Sequence, residues 1–81
     1  MSEVTLSEIA PEGVQVVSCI IFGYPDQPQE AEITAHRIDV PTGIGPARAI
    51  RLTIAREMFT ENNRPLLVAT LLGRVKEAFR Q

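Results

Sequence analysis

Hydrophobic and polar positions along the first half of the chain follow patterns typical of strands. Residues 14–22, VQVVSCIIF, are short, β-branched and apolar at both odd and even positions, which predicts a central strand covered on both faces. The stretch 23–28, GYPDQP, has the composition of a turn. We therefore expect a strand that ends in a tight connection.

The segment EAEITAHRIDV, 30–40, alternates cleanly at first and then changes phase near His36–Arg37. A β-bulge at that point would return all its apolar residues to one face, including Ile38 and Val40. A helix capped by Asp26 is the alternative. We prefer the strand, because a helical wheel separates the apolar residues of this segment.

The segment ARAIRLTIAREMFTENN, 47–63, fits both periods in part. Strand alternation is satisfied only by Ile50, Leu52 and Ile54. Helical spacing gives two apolar stripes, Ala47, Ile50, Ile54 and Met58 on one side and Leu52, Ala55 and Phe59 on the other. Pro46 suits a first helical position. A helix is preferred here, and a strand over 47–56 is the alternative.

The C-terminal segment is an amphipathic helix that begins near Pro65. Its apolar residues recur at helical spacing, as Val68, Leu71, Leu72, Val75 and Phe79. Small residues lie on the opposite side with Leu66, namely Ala69 and Gly73. Glycine inside a helix costs about 1 kcal/mol relative to alanine. That side is therefore either the interface with a second copy or a neutral surface.

These elements predict an α+β fold. An N-terminal antiparallel β-hairpin is covered by two C-terminal helices, ββαα, with βββα as the alternative. We expect one small domain, 1–81, in which residues 1–12 either add a short edge strand or are loosely ordered. The expected core is Val16, Cys19, Ile21, Ile33, Ile38, Ile50, Ile54, Val68, Leu71, Leu72, Val75 and Phe79.

A chain of 81 residues has a thin core, which small domains commonly supplement with disulfides, a metal or a second copy. The single cysteine, Cys19, excludes an internal disulfide, and together with the single histidine it cannot supply four zinc ligands. We expect Cys19 to be a small core residue rather than a reactive thiol. A homo-oligomer, most simply a dimer, is the remaining way to supplement the core.

No disulfide, leader or long apolar run is present, so a cytoplasmic protein without a membrane segment is expected.

Charge is divided unevenly along the chain. Residues 1–45 contain seven acids and one base, whereas residues 46–81 contain seven bases and three acids. Seven of the eight bases are arginines, which suit planar contacts with carboxylate or phosphate. This asymmetry indicates an electrostatic partner, or two halves of the chain that face each other.

The sequence contains no clear catalytic constellation. His36 is expected to be an exposed strand residue without a neighbouring nucleophile. Glu30 and Glu32 suit solubility and edge protection, and GIGP lacks the lysine of a phosphate loop. We therefore expect neither enzymatic activity nor a cofactor or metal.

Arg48 and Arg51 fall in the first turns of the predicted helix over 47–63, where the helix dipole opposes cations. A phosphate, a partner's carboxylate or the chain's own acids, such as Glu30 and Glu32, would resolve that conflict. The expected binding residues are Arg48, Arg51, Arg56, Arg64 and Arg74. The sequence thus predicts a non-enzymatic protein-protein interaction module (a small regulator, an inhibitor or an assembly subunit) whose partner has an acidic surface. The alternative is a nucleic-acid-binding regulator that uses the same arginines as a basic face on a dimer.

Overall fold

Three antiparallel strands followed by one α-helix make up the chain in a computed structural model that describes residues 4–24, 26–41 and 43–80. The strands are β1 (Val14–Phe22), β2 (Gln29–Arg37) and β3 (Arg48–Ile54), and the helix is α1 (Arg64–Ala78). Short 3₁₀ turns occupy Leu6–Ile9, Arg56–Phe59 and Glu61–Asn63. The predicted α+β class is confirmed.

The position of β1 in the sheet differs from the prediction. Its bounds are those predicted, but the strand order β1-β2-β3 makes it an edge strand and places β2 in the centre. Helix α1 covers one face of the sheet, so the side chains of β1 that point to the other face remain in solvent. Ile20 is 55 % exposed and Phe22 is 40 % exposed. The prediction of a central strand covered on both faces was wrong.

The irregularity in the hairpin lies in β1 rather than in β2. The β1–β2 register shifts between Val16 and Ser18, which makes Val17 the extra residue of a bulge. Strand β2 ends at Arg37 without a bulge, because the chain leaves the sheet there. Ile38 is consequently exposed, so the prediction that it belongs to the core was wrong.

The segment predicted to be the first helix is a strand. Ile50 lies opposite Ile33 and Leu52 lies opposite Ala31 in the pairing of β3 with β2. These alternate positions place Ile50 and Ile54 in the core. The apolar residues that extended the helical pattern, Met58 and Phe59, belong to the 3₁₀ turn Arg56–Phe59. The arrangement is therefore the alternative, βββα.

Helix α1 confirms the predicted C-terminal helix and has Pro65 in its first turn. Its most buried positions are Leu67, Leu71 and Val75, so the face turned to the sheet is rotated slightly from the predicted stripe. Val68 and Leu72 are half-buried, as are Cys19 and Ile21 of β1. The buried apolar residues are Ile9, Val14, Val16, Ala31, Ile33, Ala35, Ile50, Ile54, Leu67, Leu71, Val75 and Phe79.

The N-terminal segment, 1–12, lies partly outside the described residues. Within the described part, Leu6–Ile9 forms a 3₁₀ turn and Ile9 is fully buried. Pro25, in the predicted turn 23–28, Thr42 and Gln81 also lie outside the described residues.

Candidate functional site

Arg48 lies beside the C-terminus of α1. Its Nη1 donates a hydrogen bond to the carbonyl oxygen of Ala78 at 2.7 Å, and its guanidinium carbon is 5.1 Å from the centre of the Phe79 ring. Arg37 of β2 approaches from the neighbouring strand, donates to the carbonyl oxygen of Phe79 and also lies over that ring, at 5.8 Å.

A helix C-terminus carries unpaired carbonyls and the negative end of the dipole, so it attracts cations. Arg48 therefore stabilises the end of the chain's own helix. The expectation that it begins a helix was wrong, because residues 48–54 form β3.

Arg51 and Arg64 pair with acids of the same chain. Arg51 lies on the opposite face of β3 from Arg48 and its Nε donates to Oε2 of Glu32 at 2.9 Å. Nη2 of Arg64 donates to Oε2 of Glu8 at 2.6 Å, and the backbone N–H of Thr5 donates to the same oxygen at 2.9 Å. These donors, the arginine first, hold the pKa of Glu8 well below its ordinary value of 4.5, at about 2.

The five predicted arginines do not form one continuous face. Arg48 and Arg64 lie at opposite ends of α1, which are about 20 Å apart at 1.5 Å per residue. Arg56 belongs to the 3₁₀ turn that follows β3, and Arg74 is half-buried on α1. Their role in binding a partner or an anion stays a prediction.

The predicted oligomer interface lies on the solvent side of α1. Leu66 is 54 % exposed, and Ala69 and Gly73 are also exposed. A Cβ added at Gly73 would meet nothing within 4 Å, so packing within one copy does not require glycine there. The interface role of these residues stays a prediction.

The two residues with the most reactive side chains lie in structural positions. His36 is only 8 % exposed, so the expectation of an exposed histidine was wrong; its Nδ1 is 3.3 Å from the carbonyl oxygen of Arg37. Cys19 is half-buried and lies opposite Ile33 in the sheet, and burial raises the pKa of its thiol.

Among residues 4–24, 26–41 and 43–80, no three His, Cys, Asp or Glu side chains cluster as metal ligands would. No helix within those ranges has the length and apolar character needed to cross a bilayer.

The sheet face turned away from α1 carries a patterned surface that sequence reasoning did not identify. Cross-strand pairing aligns Ile20, Glu32 and Arg51 in one row and Phe22, Glu30 and Thr53 in the next. This open face, as we call it, thus has an apolar column on β1, an acidic column on β2 and a mixed polar column on β3. Between the β1 bulge and the hairpin, its residues are Ser18, Ile20, Phe22, Glu30, Glu32, Thr34, Ala49, Arg51 and Thr53.

The free edge of β1 is the second unusual feature. Strand β1 has nine residues and none is charged, whereas the opposite edge strand, β3, carries Arg48 and Arg51. Natural edge strands are commonly protected by charged residues, because their unpaired backbone groups can bind another strand. The sequence did contain a signal for this edge, since residues 14–22 are apolar at both odd and even positions and include no charged residue.

Comparison with known proteins adds no functional assignment to this geometry. No family model, no curated protein and no solved structure matches the chain at a significant level.

Proposed function

We propose that the chain is a non-enzymatic protein-protein interaction module, acting as a small regulator, inhibitor or assembly subunit that occupies a partner's surface through its open face. The observation that carries the proposal is the pair of apolar side chains on that face. Ile20 is 55 % exposed and Phe22 is 40 % exposed, and both point to the same side of the sheet. Contiguous exposed apolar side chains rimmed by polar residues are typical of protein-binding surfaces.

The charges beside this pair define the chemistry of the partner. Glu30 is exposed, lies opposite Phe22, and has no ion pair among the described residues. Glu32, in the same column, is already paired with Arg51. The partner that fits would present apolar side chains to Ile20 and Phe22, and a lysine or arginine to Glu30.

An acidic partner surface or a nucleic acid receives less support from the geometry. Arg48 and Arg64 bind a carbonyl oxygen and a carboxylate of their own chain. A phosphate backbone approaching Arg51 on the open face would also meet the acidic column of Glu30 and Glu32, and phosphate contacts supply most of the affinity for nucleic acid.

The test is site-specific photo-crosslinking in the source cell. A photoreactive residue at Phe22 should crosslink to a partner protein, whereas the same residue at the exposed helix position Ala69 should not. Glu30→Lys should reduce the crosslink at least tenfold, and Glu12→Lys, a matched exposed charge reversal outside the open face, should not. Crosslinks from Ala69 alone, or equal crosslinking by both charge variants, would contradict the proposed surface.

The nucleic-acid alternative has a direct test of its own. The chain has no tryptophan and only one tyrosine, so bound nucleic acid would dominate the ultraviolet spectrum of the purified protein. We expect a protein spectrum and no gel shift at low salt. A nucleic-acid spectrum that disappears at high salt would favour the alternative.

A further inference from the structure

An aromatic side chain at the tip of the β1–β2 hairpin is exposed to solvent. Tyr24 is 73 % exposed, yet its backbone is fixed. Its carbonyl oxygen accepts hydrogen bonds from Nε2 of Gln29 at 2.7 Å and from the N–H of Gln27 at 3.1 Å. A large amphipathic ring on a fixed backbone loses little entropy on binding, and tyrosines are enriched among the residues that dominate interfaces.

A groove lies at the other end of the same strand. It is lined by Leu6, Ser7 and Ala10 of the N-terminal segment, by Val14, Gln15 and Val16 of β1, and by Ile38. Its volume is about 370 Å³, at the lower end of the range of pockets that hold small ligands. It therefore has room for one aromatic ring. None of these seven residues carries a charge.

Antiparallel pairing of β1 with β1 of a second copy brings these two features together. If the two-fold axis passes at Ile20, Ile20 faces its own counterpart and Ser18 faces Phe22 of the second copy. The same register places Tyr24 of the second copy opposite Val16, or one residue away because of the bulge at Val17. Val16 and its neighbour Gln15 line the groove. By symmetry, each copy supplies one ring and one groove.

We propose that the chain forms a two-fold symmetric dimer through the free edge of β1, in which Tyr24 of each copy fills the groove of the other. The two sheets become one six-stranded sheet, and the open faces of both copies lie on the same side. This dimer is independent of the heterologous partner proposed above.

The charge pattern supports edge pairing between copies. A two-fold axis brings equivalent positions of β1 near each other, and like charges opposite one another destabilise strand pairs; β1 has no charge to suffer this repulsion. Stacking two open faces with their strands aligned would instead place one acidic column of Glu30 and Glu32 against the other. Pairing through β3 would bring together the strands that carry Arg48 and Arg51.

The contacts identified here supply part of the area that a specific dimer needs, which is consistent with a weak one. Each buried aromatic side chain contributes about 150–250 Å², so the two tyrosines supply roughly 300–500 Å². The paired residues of Ser18–Phe22 from both copies add to that area, towards the about 1,000 Å² that a specific interface requires. We therefore expect dissociation in the micromolar range.

The experiment measures mass and tyrosine exposure over the same concentration series. Sedimentation equilibrium should show the mass rising from 8.9 kDa towards twice that value. Because Tyr24 is the only tyrosine and no tryptophan is present, intrinsic fluorescence reports on this ring alone. Acrylamide quenching should fall at least twofold as the dimer forms.

Two substitutions with a matched control locate the interface. Tyr24→Ala and Ile20→Lys alter exposed side chains, so circular dichroism should remain that of the folded protein. Each should weaken the dimer at least tenfold. Thr53→Lys adds the same charge to the same open face at the opposite edge and should leave the dimer unchanged.

The proposal is overturned if the mass stays near 8.9 kDa throughout the micromolar range. It is also overturned if a dimer forms without any change in quenching, or if it survives both substitutions. Dissociation by Gly73→Leu with no effect of Ile20→Lys would place the interface on α1 instead. A monomer that still crosslinks to a partner from Phe22 would leave the proposed function intact.

Discussion

Phe79 joins the helix to the sheet through two arginines that come from different strands. Arg48 donates to the carbonyl oxygen of Ala78, the last residue of α1, and Arg37 donates to that of Phe79, the C-cap; both guanidinium groups lie over the Phe79 ring. Cation–π contact and a favourable helix dipole each contribute about 0.5–1 kcal/mol at exposed sites. This cluster explains why an arginine, Arg48, follows closely after GIGP, 43–46.

Removing one of these arginines should therefore cost more than removing a surface ion pair. We expect Arg48→Gln to lower the free energy of unfolding by about 1–2 kcal/mol. Arg51→Gln, which removes only the exposed pair with Glu32, should lower it by less than about 1 kcal/mol. Urea denaturation of both variants checks the order, and equal losses would show that Arg48 has no special role at the helix end.

Glu8 should make stability depend on pH in the acid range. Its pKa is lowered from 4.5 to about 2 by Arg64 and the N–H of Thr5. A lowered folded-state pKa stabilises the protein above the unfolded value, and this contribution is lost as the pH falls from about 5 towards 2.

The measurement is denaturation of wild type, Glu8→Gln and the control Glu12→Gln across that range. The wild type should exceed Glu8→Gln in stability at neutral pH, and most of the difference should be lost as the pH falls to about 2. A difference that persists unchanged at low pH would mean that the Glu8 carboxylate is not the cause.

Residue patterns alone could not place these arginines. Their partners are distant in sequence: Arg51 binds Glu32 and Arg64 binds Glu8. Pairing with the chain's own acids, Glu32 among them, is one of the alternatives that the sequence allows, but only the strand register selects it. The burial of His36 could not be predicted either, because alternation assigns a side chain to a face of the sheet without showing whether it is buried there.

Among the elements, local periodicity was sufficient for β1 and α1 and insufficient for β3. Ile50 and Ile54 are compatible with a strand at spacing four and with a helix at spacing four, so these two positions cannot distinguish the periods. Pairing with the central strand β2 decides the conformation, because it satisfies the backbone and buries both isoleucines. Such tertiary effects commonly override local propensity.

The position of β1 in the sheet could not be read from its composition. A strand that is apolar at both odd and even positions is expected in the centre of a covered sheet. Among the described residues, the one long helix covers the other face of the sheet, and most of the open face has no second layer. The same residues are equally suited to an edge strand that a second copy covers. The wrong prediction of a central strand is therefore compatible with the proposed dimer, in which β1 has a neighbour on both sides.

Gly73 should respond to substitution as an unconstrained surface position of a helix. Since a Cβ there meets nothing within 4 Å, Gly73→Ala should raise the free energy of unfolding by about 0.5–1 kcal/mol. The mass in solution should not change. Destabilisation by alanine in urea denaturation would indicate a close neighbour at this position, in agreement with the interface predicted from the small residues.

On the scale of the whole molecule, the chain is elongated for its length. Its extents are 44 × 21 × 19 Å and its radius of gyration is 13.1 Å, whereas about 12 Å is usual for a compact chain of this size. Helix α1 spans only about 22 Å at 1.5 Å per residue. A long sheet with a short helix leaves the hairpin tip and much of the β1 edge uncovered by α1 in the monomer.

Backbone hydrogen exchange tests that free edge most directly. In a monomer, the outward-pointing N–H groups of an edge strand exchange readily, and pairing with a second strand protects them. We expect protection of amides within Ser18–Phe22 to increase with protein concentration, while amides of the other edge strand, β3, keep a constant exchange rate. Exchange from Ser18–Phe22 that is the same at low and high concentration, or protection that rises equally in β3, would contradict the account.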